Sequence, residues 1–162
     1  MSAFTILEIL AIIGSGLTAG IFYAFSTFVM AALARIPPEQ GIAAMNSINV
    51  MVINPWFFAV FFGTPLGCAI LVVMALLKWG EPGAAVILAA SLIYVVGSLV
   101  VTMVFNVPLN NELAAVTSAS GEGAALWSRY LSDWTFWNSV RTAAPLLAMV
   151  LFIWGLIQRS AA

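Results

Sequence analysis

Histidine is absent from this chain, cysteine occurs once, and only 7% of the residues are charged. The first absence removes the commonest metal ligand and the usual general base. A single cysteine, Cys68, excludes an intrachain disulfide and a cysteine-based zinc or iron–sulfur site. Five Lys and Arg against six Asp and Glu leave a formal net charge of -1, so the basic surface that nucleic acid requires is missing. Scarce charge also excludes an ordinary soluble fold. Hydrophobic residues make up 64% of the 162 positions, against about half in soluble domains, and a domain of this size cannot bury so much apolar surface.

What is present are four long apolar runs, at about 4–33, 55–77, 84–105 and 134–157. Each is long enough for a membrane crossing, which takes roughly 20 helical residues, and helices satisfy their own backbone within lipid. The expectation is an all-α integral membrane four-helix bundle, one domain over 1–162. A short amphipathic helix should lie between spans 1 and 2, after Pro37-Pro38. A longer polar link, Asn106 to Asp133 with a Gly/Ser-rich middle from Thr117 to Gly123, should join spans 3 and 4. The first span lacks a basic start and carries Glu8, so it does not read as a cleaved leader. Four crossings put both termini and the tight turn Lys78 to Gly83 on one side, and both long links on the other. Positive charge barely orients the bundle. Discounting Arg129 and Arg141 as site-bound puts the termini in the cytoplasm, with the bacterial cytoplasmic membrane as the expected location.

Within the spans, Glu8 lies one turn in and is expected at the headgroups. The alternative is a buried carboxylate that carries a proton or binds a partner. Gly16 with Gly20, and Gly63 with Gly67, form small-residue faces for close helix approach. Intrachain packing is their expected use and homo-oligomerisation the alternative. Cys68 reads as a small buried residue.

The polar signal concentrates in WSRYLSDWTFWNSVR, residues 127–141. At 100° per residue, Trp127, Tyr130, Trp134, Trp137, Asn138 and Arg141 fall within an arc of about 100°. An interfacial aromatic belt would explain the rings alone. Arg141 argues otherwise: the uncharged run after it is too short to span unaided, which places Arg141 roughly 10 Å inside the crossing. An Arg that deep should face the bundle interior and find partners. The end of span 3 offers Asn106 and Asn110 beside Pro108. Proline biases Val107 away from helical geometry, so the helix is expected to break there and free the carbonyls near Val104 and Phe105. Glu112 could pair with Arg141 or Arg129. The first link adds Asn46 and Asn49 on its short helix, then Asn54-Pro55-Trp56. These could roof the bundle mouth or lie in the headgroups. The expected object is a pocket at one mouth, with walls of Trp56, Trp127, Tyr130, Trp134 and Trp137. Its polar points are Asn46, Asn49, Asn106, Asn110, Asn138 and Arg141. That profile suits a flat, mostly apolar ligand with a few oxygens.

Two motifs carry a family resemblance: N-x-P-L-N with a following L-A (Asn106 to Ala114), and W-x-x-Y-x-x-x-W-x-x-W-N-x-x-R-T (Trp127 to Thr142). With M-N-x-I-N (Met45 to Asn49) and N-P-x-F (Asn54 to Phe57), the chain resembles the anthrone oxygenases, small four-span membrane proteins, from Gly16 to about Leu151. The resemblance implies oxidation of a flat aromatic or polyketide-like substrate by dioxygen, with no metal, flavin or other cofactor. It implies that Arg141 with Asn106, Asn110 or Asn138 stabilises a developing oxyanion, and that the aromatic residues hold the ring. Glu112, Asp133 and Tyr130 are the candidate bases, and no spacing singles one out. The expected partners are membrane lipid and an apolar aromatic small molecule. Two other classes use the same residues: a non-catalytic binder or carrier of a lipid, quinone or polyketide, and a structural membrane subunit.

Overall fold

The computed structural model describes residues 2–117 and 120–161. Ser118 and Ala119, inside the expected Gly/Ser-rich link, lie outside the described residues. Among the described residues five helices carry the chain: α1 (Ala3–Leu33), α2 (Pro38–Met51), α3 (Pro55–Leu77), α4 (Ala84–Ala115) and α5 (Gly121–Ser160). Among the described residues there is no strand. The helices α1, α3, α4 and α5 are each long and apolar enough to cross a membrane. Their starts follow from local chemistry. Ser2, Asn54 and Ser120 each accept a backbone N–H at a helix N-terminus, and prolines occupy the first turns of α2 and α3, where a missing N–H costs nothing.

The four long helices close a bundle in which α1 and α4 each pack against both α3 and α5. At one end the core mixes small residues with two large rings, around Cys68, Leu71, Ala90, Tyr94, Ala148 and Phe152. At the other, α2 lies across the bundle on Met30, Leu113, Trp127, Tyr130 and Trp134. A side chain at Gly41 would put its Cβ 2.6 Å from the Trp127 ring, so glycine lets α2 sit down on α5.

The parity of the crossings is visible in side-chain contacts. Gly83, in the turn between α3 and α4, has φ of 80°, a region that favours glycine. A Cβ there would lie 2.7 Å from the Gly155 carbonyl and 3.0 Å from Arg159. Arg159 in turn donates to Glu8 at 2.8 Å. Both ends of the chain and the tight turn therefore meet at one end of the bundle.

Three expectations are corrected here. Glu8 is not an interfacial acid. It is fully buried, and its partner Arg159 also covers the Phe4 ring at 3.8 Å. Its face of α1 is shared with Ala11, Ser15 and Thr18, the small and polar residues that turn inward in a membrane bundle. Second, α4 does not break at Pro108. Val107 is helical (φ -64°, ψ -45°) and donates to the Thr102 carbonyl, five residues back. The wide π-helical turn Thr102–Asn106 takes up the proline ring that a tight α-turn would reject. The expected link from Asn106 to Asp133 is thus mostly helix, and α5 alone has 40 residues. At about 60 Å it is twice the ~30 Å hydrocarbon thickness, so half of it stands outside. Third, the closest helix approaches use other glycines. A Cβ on Gly14 would meet Thr64 Oγ1 at 2.0 Å and one on Gly97 would meet Ala144 Cβ at 2.2 Å; of the expected pairs, Gly16 and Gly67 do pack within the chain, 3.2 Å from Met149 and 3.5 Å from Leu7, whereas Gly20 and Gly63 face open space.

Candidate functional site

Beneath α2 lies a cavity of about 570 Å³, within the range of small-molecule sites. Its walls are aromatic. Phe22 and Phe25 come from α1, Phe57 and Phe61 from α3, and Trp134 from α5. Phe57 and Phe61 stack at 5.2 Å, and Phe61 meets Phe22 edge to face at 6.5 Å. The polar points are Asn46 and Asn49 from α2, Thr102, Asn110 and Asn111 from α4, and Arg141 from α5. Two π-helical turns border the cavity, Phe25–Val29 and Thr102–Asn106. The second aims Thr102 at Arg141.

Arg141 is the only charged residue in this lining. It is 5% exposed. One Nη donates to Thr102 Oγ1 at 3.2 Å and the other to Asn138 Oδ1 at 2.8 Å. The guanidinium lies 4.2 Å from the Phe22 ring centroid and 5.1 Å from that of Trp134, geometry that stabilises a cation without neutralising it. Among the described residues no carboxylate pairs with it, and its Nε is buried without a partner. A buried cation with no paired carboxylate keeps part of its electrostatic demand unmet.

The amides divide by what they have left to give. Asn138 is fully buried and spent: its nitrogen donates to the Phe22 carbonyl and Ser26 Oγ, both at 2.7 Å, while its oxygen accepts from Arg141. It holds α1, α5 and Arg141 in register from behind the cavity. Asn106 also lies behind, donating to the Trp134 carbonyl at 3.2 Å. Asn110 accepts from Tyr130 Oη and Trp134 Nε1, both at 2.8 Å, so only its nitrogen remains for a ligand. On the roof, Asn46 Oδ1 and Asn49 Nδ2 are buried and unpartnered, one acceptor and one donor.

The site expected from the sequence is therefore brought together in part. Arg141, Asn110, Asn46, Asn49 and Trp134 share the cavity. Trp127 and Tyr130 are core residues beneath α2. Trp137 stacks on Phe105 at 3.5 Å, away from the lining. Trp56 is 86% exposed on the outside of α3, because Asn54 is spent capping that helix and Pro55-Trp56 forms its outer first turn. Neither carboxylate candidate for the base reaches the cavity. Glu112 pairs with Arg129 at a separate cleft, and Asp133 is exposed on the polar side of α5. Sequence reasoning missed Phe22, Phe61 and Thr102. Thr102 carried a usable signal, a hydroxyl in an uncharged span one turn before Asn106.

The sequence model of a family described as Anthrone oxygenase matches residues 56–151. The chain belongs to the anthrone oxygenase family. The family match takes in Thr102, Asn110, Trp134, Asn138 and Arg141, and leaves out α1 and the roof helix α2. No curated protein and no solved structure matches the chain. The matched range thus contains the α3, α4 and α5 walls of the cavity. Phe22, Asn46 and Asn49 complete the cavity from outside that range.

Proposed function

We propose that the cavity binds a flat aromatic ketone of the anthrone type in its ionised, enolate-like form, and that Arg141 stabilises the oxyanion while the ring reacts with dioxygen. One observation carries this reading: Arg141 lines an aromatic-walled cavity, buried, with no carboxylate paired to it among the described residues. The chemistry balances without a cofactor. The ring methylene loses a proton, and the carbanion gives its electrons to dioxygen and forms a carbon–peroxide bond. The O–O bond then breaks as the second methylene proton leaves, giving the quinone carbonyl and one water.

The lining holds no carboxylate and no tyrosine. Arg141 therefore acts by selecting the ligand already ionised, and the ligand's charge supplies the missing counter-ion. Binding the enolate more tightly than the ketone raises the concentration of the form that reacts. The test is anthrone added to protein in nanodiscs under air, with quinone absorbance and oxygen uptake followed together. A rate above spontaneous oxidation that vanishes in Arg141→Met supports the proposal, and no acceleration overturns it. The absent base also favours a second reading, a non-catalytic binder, for which the same ligand binds but its oxidation is not accelerated.

A further inference from the structure

We infer that the cavity is loaded sideways from the bilayer, through a portal between α3 and α4, while α2 closes it towards water. This rests on the proposed function only in taking a flat, lipid-dissolved aromatic with one ionisable oxygen as the occupant.

The cavity's exposed lining residues fall in two groups, Val50 and Ile53 at the end of the roof helix with Ile21 on α1, and a line along the gap between α3 and α4. Phe58 and Phe62 on α3 are 39% and 47% exposed, and Met103 on α4 is 55% exposed. Close packing of α3 on α4 reaches as far as Val95–Val100. Beyond that turn the two helices diverge, and the cavity occupies the gap. Its depth follows from the chain. Phe58 and Met103 each lie about 19 residues from the Lys78–Gly83 turn, or roughly 28 Å at 1.5 Å per residue, and Phe62 lies deeper. A hydrocarbon core of ~30 Å reaches all three. The gap thus opens onto acyl chains, and its edges are two phenyl rings and a thioether, with no charge to repel an apolar ligand.

The water side carries the roof helix, whose Val50 and the following Ile53 are themselves exposed. Helix α2 lays Met45, Asn46, Ile48 and Asn49 over the cavity and is held down on Leu113 and Trp127. Arg141 stands at the inner end. A flat ligand passing between Phe58 and Met103 keeps its faces in lipid-like surroundings throughout and meets a polar partner only when its oxygen reaches the guanidinium. Met103 suits a doorway because its unbranched thioether changes rotamer readily.

A plugged portal has a kinetic signature distinct from a damaged site. Met103→Trp should slow association and dissociation of a hydroxyanthraquinone probe together, by about tenfold, with the Kd held within about twofold. Stopped-flow quenching of tryptophan fluorescence in nanodiscs reads both rates. Unchanged rates, or a changed Kd with an unchanged association rate, would overturn the portal. A second measurement needs no ligand. A nitroxide at Met103→Cys, in a Cys68→Ala background, should be relaxed more by lipid-dissolved oxygen than by a water-soluble nickel chelate. The opposite order overturns the portal. If the probe fails to bind, the proposed function falls and the nitroxide result still decides the portal.

Discussion

Replacing Arg141 with Met separates what this residue does for the ligand from what it does for the fold. In the folded protein the guanidinium has two hydrogen bonds and two ring faces but no carboxylate. Hydrogen bonds from a charged donor contribute about 1.5–3 kcal/mol each, and a desolvated cation–π contact about 2 kcal/mol. Against them stands a desolvation cost of several kcal/mol for an unpaired ion. Methionine fills similar space with no charge to bury, at the expense of stranding Asn138 Oδ1, about 1–3 kcal/mol. Arg141→Met should therefore unfold within about 2 kcal/mol of the parent protein. Turnover should fall about 10²–10³-fold, the usual loss of an oxyanion donor. Chemical unfolding followed by tryptophan fluorescence reads the first quantity and oxygen uptake with anthrone the second. A variant that unfolds far more readily yet binds a hydroxyanthraquinone as tightly as before would refute the argument. Arg141 would then be a structural strut.

The buried Glu8–Arg159 pair should behave in the opposite way: Arg159→Met alone should destabilise by about 3–5 kcal/mol, and Glu8→Gln with Arg159→Met should recover most of that loss, by the same unfolding assay. The exposed Glu112–Arg129 pair should matter little; Glu112→Gln should cost under about 1 kcal/mol and leave anthrone oxidation unchanged, since the pair lies outside the cavity. Gly97→Val should sharply reduce the yield of folded protein on size exclusion, because its Cβ would fall 2.2 Å from that of Ala144, whereas Gly20→Ala should be neutral or slightly stabilising. Asn110→Leu strands the Tyr130 hydroxyl and the Trp134 indole N–H together; about 2 kcal/mol or more of stability should be lost, with weakened probe binding on the Trp134 wall.

The spans were legible because run length alone decides a crossing, and Arg141 was legible because an arginine so far inside a crossing has to turn inward. Proline misled at Pro108: its local bias is real, but a π-helical turn satisfies it without ending the helix. Outside the membrane α5 keeps helical spacing with polar residues on its free side, so a polarity scan reads its first three turns as a link. Glu8 was readable in hindsight from Ala11, Ser15 and Thr18 on the same face, set against outward Leu10, Ile13 and Leu17. The aromatic stripe divided along its width. Trp134 lies near its centre and reaches the cavity, while Trp137 lies at its edge and is captured by Phe105. No periodicity in α5 could supply Phe22 or Phe61, which reach the site from helices far away in the chain.

A single rod about 60 Å long carries the Arg159 clasp at one end, the cavity wall at its waist and the Trp127 seat of the roof helix further on. Such a rod answers a thicker or thinner bilayer by tilting or sliding as one body. The depth of Arg141 is thereby tied to the thickness of the surrounding lipid, so that acyl-chain length sets where in the bilayer this buried cation stands.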